Sequence, residues 1–233
     1  MASNTFNDGL TSYHHKAVGG YHPAKLVRYQ DMIEFQISQR KMPTLNMLNA
    51  KYLIYPTKQG NQVQLNPNAC GNAWFVNSVE KVADADAEMK AITNFNPNEK
   101  AFVDVRFEEF VKAEKLAKDS TANIQLTSYK ANELKYESNA STEQFAVFSE
   151  VFYRGNDDWK AYVDGEFMPH MRVNYILRGM YVPAGKHEIT FKFEPASFYT
   201  GETISLIFSI LLFGSVIVGL FMAFKGASPA VNE

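Results

Sequence analysis

Between residues 204 and 224 the alternation of polar and apolar positions stops. The run ISLIFSILLFGSVIVGLFMAF holds 21 residues with no charge, Pro, Asn or Gln. As a helix it spans about 31 Å, close to the hydrocarbon thickness of a bilayer. Core helices seldom stay apolar on every face for so long, so the run predicts a transmembrane helix. Glu202 and Lys225 bracket it, and residues 225–233 form a short tail. Lys225 follows the span while Lys186 and Lys192 precede it, so charge does not choose a side. The first 30 residues contain no apolar run and hence no signal peptide. Two arrangements follow: a tail-anchored protein facing the cytosol, or the C-terminal piece of a larger membrane protein whose upstream helices carry the domain across.

Upstream, the early pattern is helical. Over Pro23–Ser38, Leu26, Tyr29, Ile33 and Ile37 fall on one face, with Pro23 at a first helical position. Pro43-Thr44 reads as a second start with Thr44 as the cap. Tyr52–Tyr55 reads as a buried strand closed by Pro56, residues 57–72 as loop, and Trp74 to Val82 as one strand. Asp84–Thr93 reads as a short helix with acids in its first turn, and Ala101–Val105 as a strand.

From about residue 122 the period becomes two. Ile124, Leu126 and Ser128 alternate with polar neighbours, and Leu134, Tyr136 and Ser138 repeat the pattern across a hairpin. Gln144–Tyr153 is nearly all apolar, which fits a central strand covered on both faces. Trp159–Val163 meets Asp164-Gly165, a strong hairpin signal. Arg172–Leu177 reads as the next strand, Gly179 as a bulge, and Glu188–Phe193 as the last strand before a linker at 194–203. The fold class is therefore α+β. A helical and loop segment (1–43) leads to a small α/β subdomain (44–118), then an antiparallel, jelly-roll-like β-sandwich (119–198) and one C-terminal transmembrane helix.

Charge and composition narrow the function classes. The 233 residues carry 23 Lys and Arg against 25 Asp and Glu, a formal charge of −2. That balance gives no electrostatic case for nucleic acid. One Cys, Cys70, excludes an internal disulfide or a Cys-cluster zinc site. The run contains no phosphate-cradling Gly-rich loop and no serine-nucleophile elbow, and no cofactor is implied.

Several ordered motifs are more specific than composition. They are Gly20-Tyr21-His22-Pro23-Ala24-Lys25-Leu26, Arg28-Tyr29-Gln30-Asp31, Leu48-Asn49-Ala50-Lys51-Tyr52-Leu53-Ile54 and Asn72-Ala73-Trp74-Phe75-Val76. Later come Phe148-Ser149-Glu150-Val151-Phe152-Tyr153, Trp159 to Gly165, Asn174-Tyr175-Ile176-Leu177-Arg178 and Val182 to His187. With the closing apolar helix, the chain resembles the C-terminal region of the YfhO family of bacterial membrane proteins. The resemblance implies a many-helix, GT-C-like glycosyltransferase that takes sugar from a polyprenyl-phosphate carrier and places it on a cell-surface polymer. It also implies a bacterial cytoplasmic-membrane location with residues 1–203 on the extracytoplasmic side. The catalytic acid of that architecture lies in an early extracytoplasmic loop absent from this chain. The implied role is therefore to position donor or acceptor, without a catalytic residue of its own. The implied partners are the lipid bilayer, the carrier-linked sugar, a surface glycan and membrane helices N-terminal to this stretch. The alternatives are a non-catalytic, membrane-anchored carbohydrate-binding or assembly module and the tail-anchored cytosolic protein.

The candidate residues follow from their chemistry. His22, Lys25 and Arg28 form a cationic group near a helix start, suited to a phosphate-bearing lipid. His14, His15 and His22 lack the spacing and carboxylates of a metal site, so no metal is assigned. Asp84, Asp86 and Glu88 read as capping and dipole residues. Trp159, among Tyr153, Tyr162, Tyr175 and Tyr181, is either a sugar-stacking platform or core. Arg172 and Arg178, six apart, either pair within the fold or hold a ligand.

Overall fold

The computed structural model describes Phe6, residues 9–117 and residues 119–226. Most of the tail, 227–233, lies outside the described residues. Packing divides the chain into two units, residues 1–193 and 194–233.

The first unit opens with short helices α1 (Leu10–His14) and α2 (Val27–Met32), the latter continuing as a π-helical turn over Ile33–Ile37. The predicted start at Pro23 is four residues early. His22 Nδ1 accepts the Ala24 N–H at 3.1 Å and holds a turn there, and Leu26 is the N-cap. Met32, Ile33, Gln36 and Ile37 are buried. Helix α3 (Met42–Met47) carries Pro43 in its first turn, but Lys41 is its N-cap. Thr44 is not a cap: it lies inside the helix, buried, with its hydroxyl on Gln36 Oε1.

Strands β1 (Tyr52–Thr57) and β2 (Gly60–Leu65) make an antiparallel ribbon. This corrects two expectations. The stretch 57–72 is not all loop, and Tyr52–Tyr55 is not a buried strand, because Tyr52 and Ile54 face outward. The single strand expected over 74–82 is also two. They are β3 (Ala73–Val76) and β4 (Ser78–Val82), parted at Asn77, where the Asn77 and Ser78 N–H groups both donate to the Glu99 carbonyl. Strand β4, helix α4 (Ala85–Ala91) and β5 (Lys100–Asp104) form a compact parallel βαβ unit. Asp84 caps α4 as expected, accepting the Ala87 N–H at 2.8 Å. A 3₁₀ turn, Val105–Phe110, follows.

The remaining strands are β6 (Asn123–Lys130), β7 (Glu133–Ala140), β8 (Gln144–Val151), β9 (Trp159–Val163), β10 (Glu166–Phe167), β11 (Met171–Val173), β12 (Leu177–Val182) and β13 (Gly185–Phe193). Two antiparallel sheets form the sandwich, in the orders β10-β9-β13-β7-β6 and β11-β12-β8-β3. Asp164 and Gly165 turn the β9–β10 hairpin with positive φ at both residues, as the sequence requires. Leu134, Tyr136, Phe148, Met180, Ile189 and Phe191 fill the space between the sheets. Tyr136, Phe148 and Phe191 meet edge to face, with centroids 4.9–6.1 Å apart.

Alternate residues of the four-stranded sheet point the other way. Trp74, Val76, Phe145, Val147, Leu177 and Tyr181 join Met32, Ile37, Leu45, Val79, Ile92 and Val103 in a second core. The sheet is thus covered on both faces, which is why β8 has no polar face. The run Arg172–Leu177 is not one strand. Asn174 and Tyr175 take φ of 49° and 73° and turn the chain between β11 and β12. Asn174 clasps Phe102 of β5 at two points, its N–H on the Phe102 carbonyl and its Oδ1 on the Phe102 N–H, both 2.9 Å. The bulge predicted at Gly179 falls between Leu177 and Arg178, while Gly179 itself is paired on both sides.

The second unit holds helix α5 (Ala196–Gly226), 31 residues long. The expected linker at 194–203 is helical from Ala196 onward. The helix is long and apolar enough to cross a membrane, and none of its side chains is buried in the chain.

Candidate functional site

The six sequence-selected residues fall into three places. His22 and Lys25 line a hollow of about 310 Å³ with Ser12, Gly19, Gly20, Tyr21, Tyr29 and Ile33. Arg28 leaves them. It is the second residue of α2 and reaches inward, donating to the Tyr175 carbonyl at 3.3 Å, with its guanidinium 4.3 Å from the Tyr175 ring centre. Its Nη1 lies 3.6 Å from Glu88 Oε2.

Arg172 arrives at the same carboxylate from the sandwich side, Nη2 to Glu88 Oε2 3.7 Å, and stands 3.3 Å from Asp104 Oδ2. Arg106 grips Asp104 through Nε at 2.9 Å and through Nη2. The Tyr175 N–H donates to Glu88 Oε1 at 2.9 Å, and the Tyr175 hydroxyl donates to Asp31 Oδ2 at 2.7 Å. Arg28, Glu88, Asp104, Arg106 and Arg172 therefore form one charged cluster joining α2, α4, β5 and the β11–β12 hairpin. Both carboxylates are fully buried.

The two carboxylates titrate in opposite directions. Burial pushes Glu88 up to about 7, more than its arginines and the Tyr175 N–H pull it down. The geometry agrees, since both arginines stand beyond hydrogen-bond reach of Oε2, which has no hydrogen-bond partner. Asp104 is held down to about 2, chiefly by its hydrogen bonds from the Arg106 side chain. Such a cluster orders a junction. Asp104 is hydrogen-bonded to arginine, and Glu88 is buried within ion-pair distance of Arg28 and Arg172.

Trp159 and Arg178 form the third place. Arg178 is the direct cross-strand partner of Arg172, yet its guanidinium goes elsewhere. It lies 4.3 Å from the Trp159 ring centre and 5.2 Å from that of Phe191, and Nε donates to the Val151 carbonyl at 3.1 Å. Burial lowers its pKa to about 10. Trp159 is half-buried, tilted against Phe193 at 5.3 Å. Of the tyrosines grouped with it in the sequence, Tyr175 and Tyr181 are buried in the other core, Tyr162 is half-buried and Tyr153 is exposed. His170 lies buried nearby in sequence with both ring nitrogens unpartnered, its imidazole held down to about 3 by burial.

Glu88 and Asp104 were not singled out as site residues. For Glu88 a signal existed: Ala85, Met89 and Ile92 define the apolar face of α4, and Glu88 falls inside that arc. An acid there needs cations brought from elsewhere. Asp104 merely ends an apolar strand and carried no comparable mark. Among the described residues no group of three His, Cys, Asp or Glu is placed to hold a metal ion.

The architecture is thus a two-sheet sandwich with an α/β layer, in a chain that also carries a membrane-crossing helix. The family of the bacterial membrane protein YfhO matches residues 60–205, from β2 into the start of α5, and the chain belongs to that family. No curated protein and no solved structure matches the chain.

Proposed function

We propose that this chain is the extracytoplasmic, membrane-tethered part of a glycosyltransferase that moves sugar from a polyprenyl-phosphate donor to a cell-surface polymer, and that it positions rather than cleaves. The family match carries the reading, because it runs through the sandwich and into the membrane helix. Two features of the domain support a positioning role. Asp104 is hydrogen-bonded to Arg106, and Glu88 is fully buried beside Arg28 and Arg172. The hollow beneath His22 and Lys25 presents a cationic amine, an imidazole and the Ser12 hydroxyl, groups suited to a phosphate. In this reading His22 and Lys25 receive the carrier's phosphate, and Trp159 with Arg178 holds the sandwich face that meets the glycan. Arg28 and Arg172 fix the junction between the two. The contribution is orientation of reactants.

Protease added to intact cells, or to spheroplasts where an outer membrane is present, tests the sidedness. Cleavage within residues 9–193 before the membrane is opened is expected. Protection until lysis overturns the proposal. Membranes carrying His22→Ala with Lys25→Glu should lose sugar transfer while the domain keeps its melting temperature. Unchanged transfer removes the phosphate role.

A further inference from the structure

The β1–β2 ribbon is amphipathic in the reverse sense from a solvated hairpin. Tyr52 pairs with Leu65 and Ile54 with Val63, so the four share one face two residues apart. They are 66%, 60%, 56% and 64% exposed. The polar residues Gln62 and Gln64 oppose Tyr55 and Leu53 on the other face, where Leu53 packs on the domain core. An apolar face turned outward over two paired strands marks a contact surface.

Charge says what covers it. Between Glu34 and Glu80 the only charged residues are Arg40, Lys41, Lys51 and Lys58, all positive. Lys51 immediately precedes the ribbon and Lys58 is in its turn, both exposed. A cationic rim around aliphatic and tyrosyl side chains is complementary to anionic lipid headgroups over acyl chains. Tyr52 suits the boundary, with an apolar ring and a polar tip. The chain's own helix α5 tethers the domain to a bilayer, with only Glu194 and Pro195 between it and β13 in the sequence. Tethering raises the effective concentration of that surface for any weak contact.

We propose that the Tyr52, Ile54, Val63 and Leu65 face of the ribbon is a lipid-contacting surface that seats in the interfacial region of an anionic membrane. It depends on the membrane tether and not on the glycosyltransferase reading.

The full chain is reconstituted in vesicles of phosphatidylcholine alone or mixed with phosphatidylglycerol, with Cys70→Ser and a nitroxide on Val63→Cys or Gln62→Cys. Circular dichroism confirms the fold of each labelled chain. On the proposal, position 63 is reached by oxygen and shielded from a water-soluble nickel complex, more so with phosphatidylglycerol, while position 62 stays nickel-accessible. Lys51→Glu with Lys58→Glu returns position 63 to water. Equal nickel access at 62 and 63 in both lipids overturns the proposal. So does a label at 63 shielded from oxygen and nickel alike, which means that protein covers the face, a second copy if spin–spin broadening accompanies it.

Discussion

Tyr175 and Glu88, 87 residues apart, are joined by a 2.9 Å hydrogen bond from the Tyr175 backbone N–H to Glu88 Oε1. Tyr175 is at φ 73°, a strained value for a non-glycine residue. The bond gives its turn N–H an acceptor inside the protein, where water cannot serve. A buried helix acid thus fixes the hairpin turn between β11 and β12, and the same turn presents the Tyr175 carbonyl to Arg28.

The titration of Glu88 should be visible in stability. Folded, it titrates at about 7, and unfolded at about 4.3. Between those values the folded state holds a proton that the unfolded state has released, so raising the pH lowers stability. His170 acts in reverse. Held down to about 3 in the fold, it is protonated first in the unfolded chain, and stability rises with pH up to about 6.5. From about pH 4.5 to 6.5 the two oppose each other and the profile is shallow. Glu88→Gln removes one arm. Glu150, raised by its own burial, still acts against His170. The variant should gain about 2 kcal/mol across that interval, read by urea unfolding at half-unit pH steps. A variant profile as shallow as the parent's would mean that Glu88 is ionised in the fold.

The two arginines on Glu88 should not be equivalent. The Arg172 side chain is 10% exposed and serves both buried carboxylates, whereas that of Arg28 is 25% exposed and serves one. Arg172→Met should cost about 3–5 kcal/mol, because it strips a cation from two buried acids. Arg28→Met should cost about 1–2 kcal/mol, from the lost bond and ring contact with Tyr175. Chemical denaturation of both variants, and of the double variant for coupling, measures this. Equal losses would show that Glu88 alone sets the cost.

Strand positions in the sandwich were legible because one face of each outer strand is wet. The alternation of Ile124, Leu126, Leu134 and Tyr136 marks the core-facing side of β6 and β7 directly, and Asp164-Gly165 marks the β9–β10 turn. The β1–β2 ribbon misled for the same reason. Apolar Tyr52 and Ile54 imply burial only if nothing but protein and water is available to cover them. The turn at Asn174-Tyr175 was hidden because its partners, Phe102 and Glu88, lie 72 and 87 residues away. The meeting of Arg28 with Arg172 was equally beyond local pattern, since it depends on how the α/β layer packs on the sheet.

Gly179 illustrates a constraint of packing rather than of backbone freedom. A Cβ added there would stand 2.7 Å from Phe145 Cζ and 2.8 Å from Val173 Cγ1. Both belong to the core on the α/β side of the four-stranded sheet, flanked by paired strands on either side of β12. Gly179→Ala should therefore destabilise the domain by about 1–3 kcal/mol through overpacking. Phe145→Leu in the same chain should recover part of the loss, as seen by thermal melting. No recovery would place the clash at Val173.

Trp159→Ala separates a platform from a packing role. The ring lies against Phe193 and the sandwich core, and the Arg178 guanidinium occupies its face. Removing it opens space beside Arg178, whose Nη1 already lacks a hydrogen-bond partner. The expected cost is about 3 kcal/mol, with early melting. Trp159→Phe should retain most of the stability, because a ring still faces the cation. Glycan binding, measured by titration on the folded Phe variant, then isolates recognition from folding. A Trp159→Ala domain that melts like the parent would mean that the ring contributes little to the core.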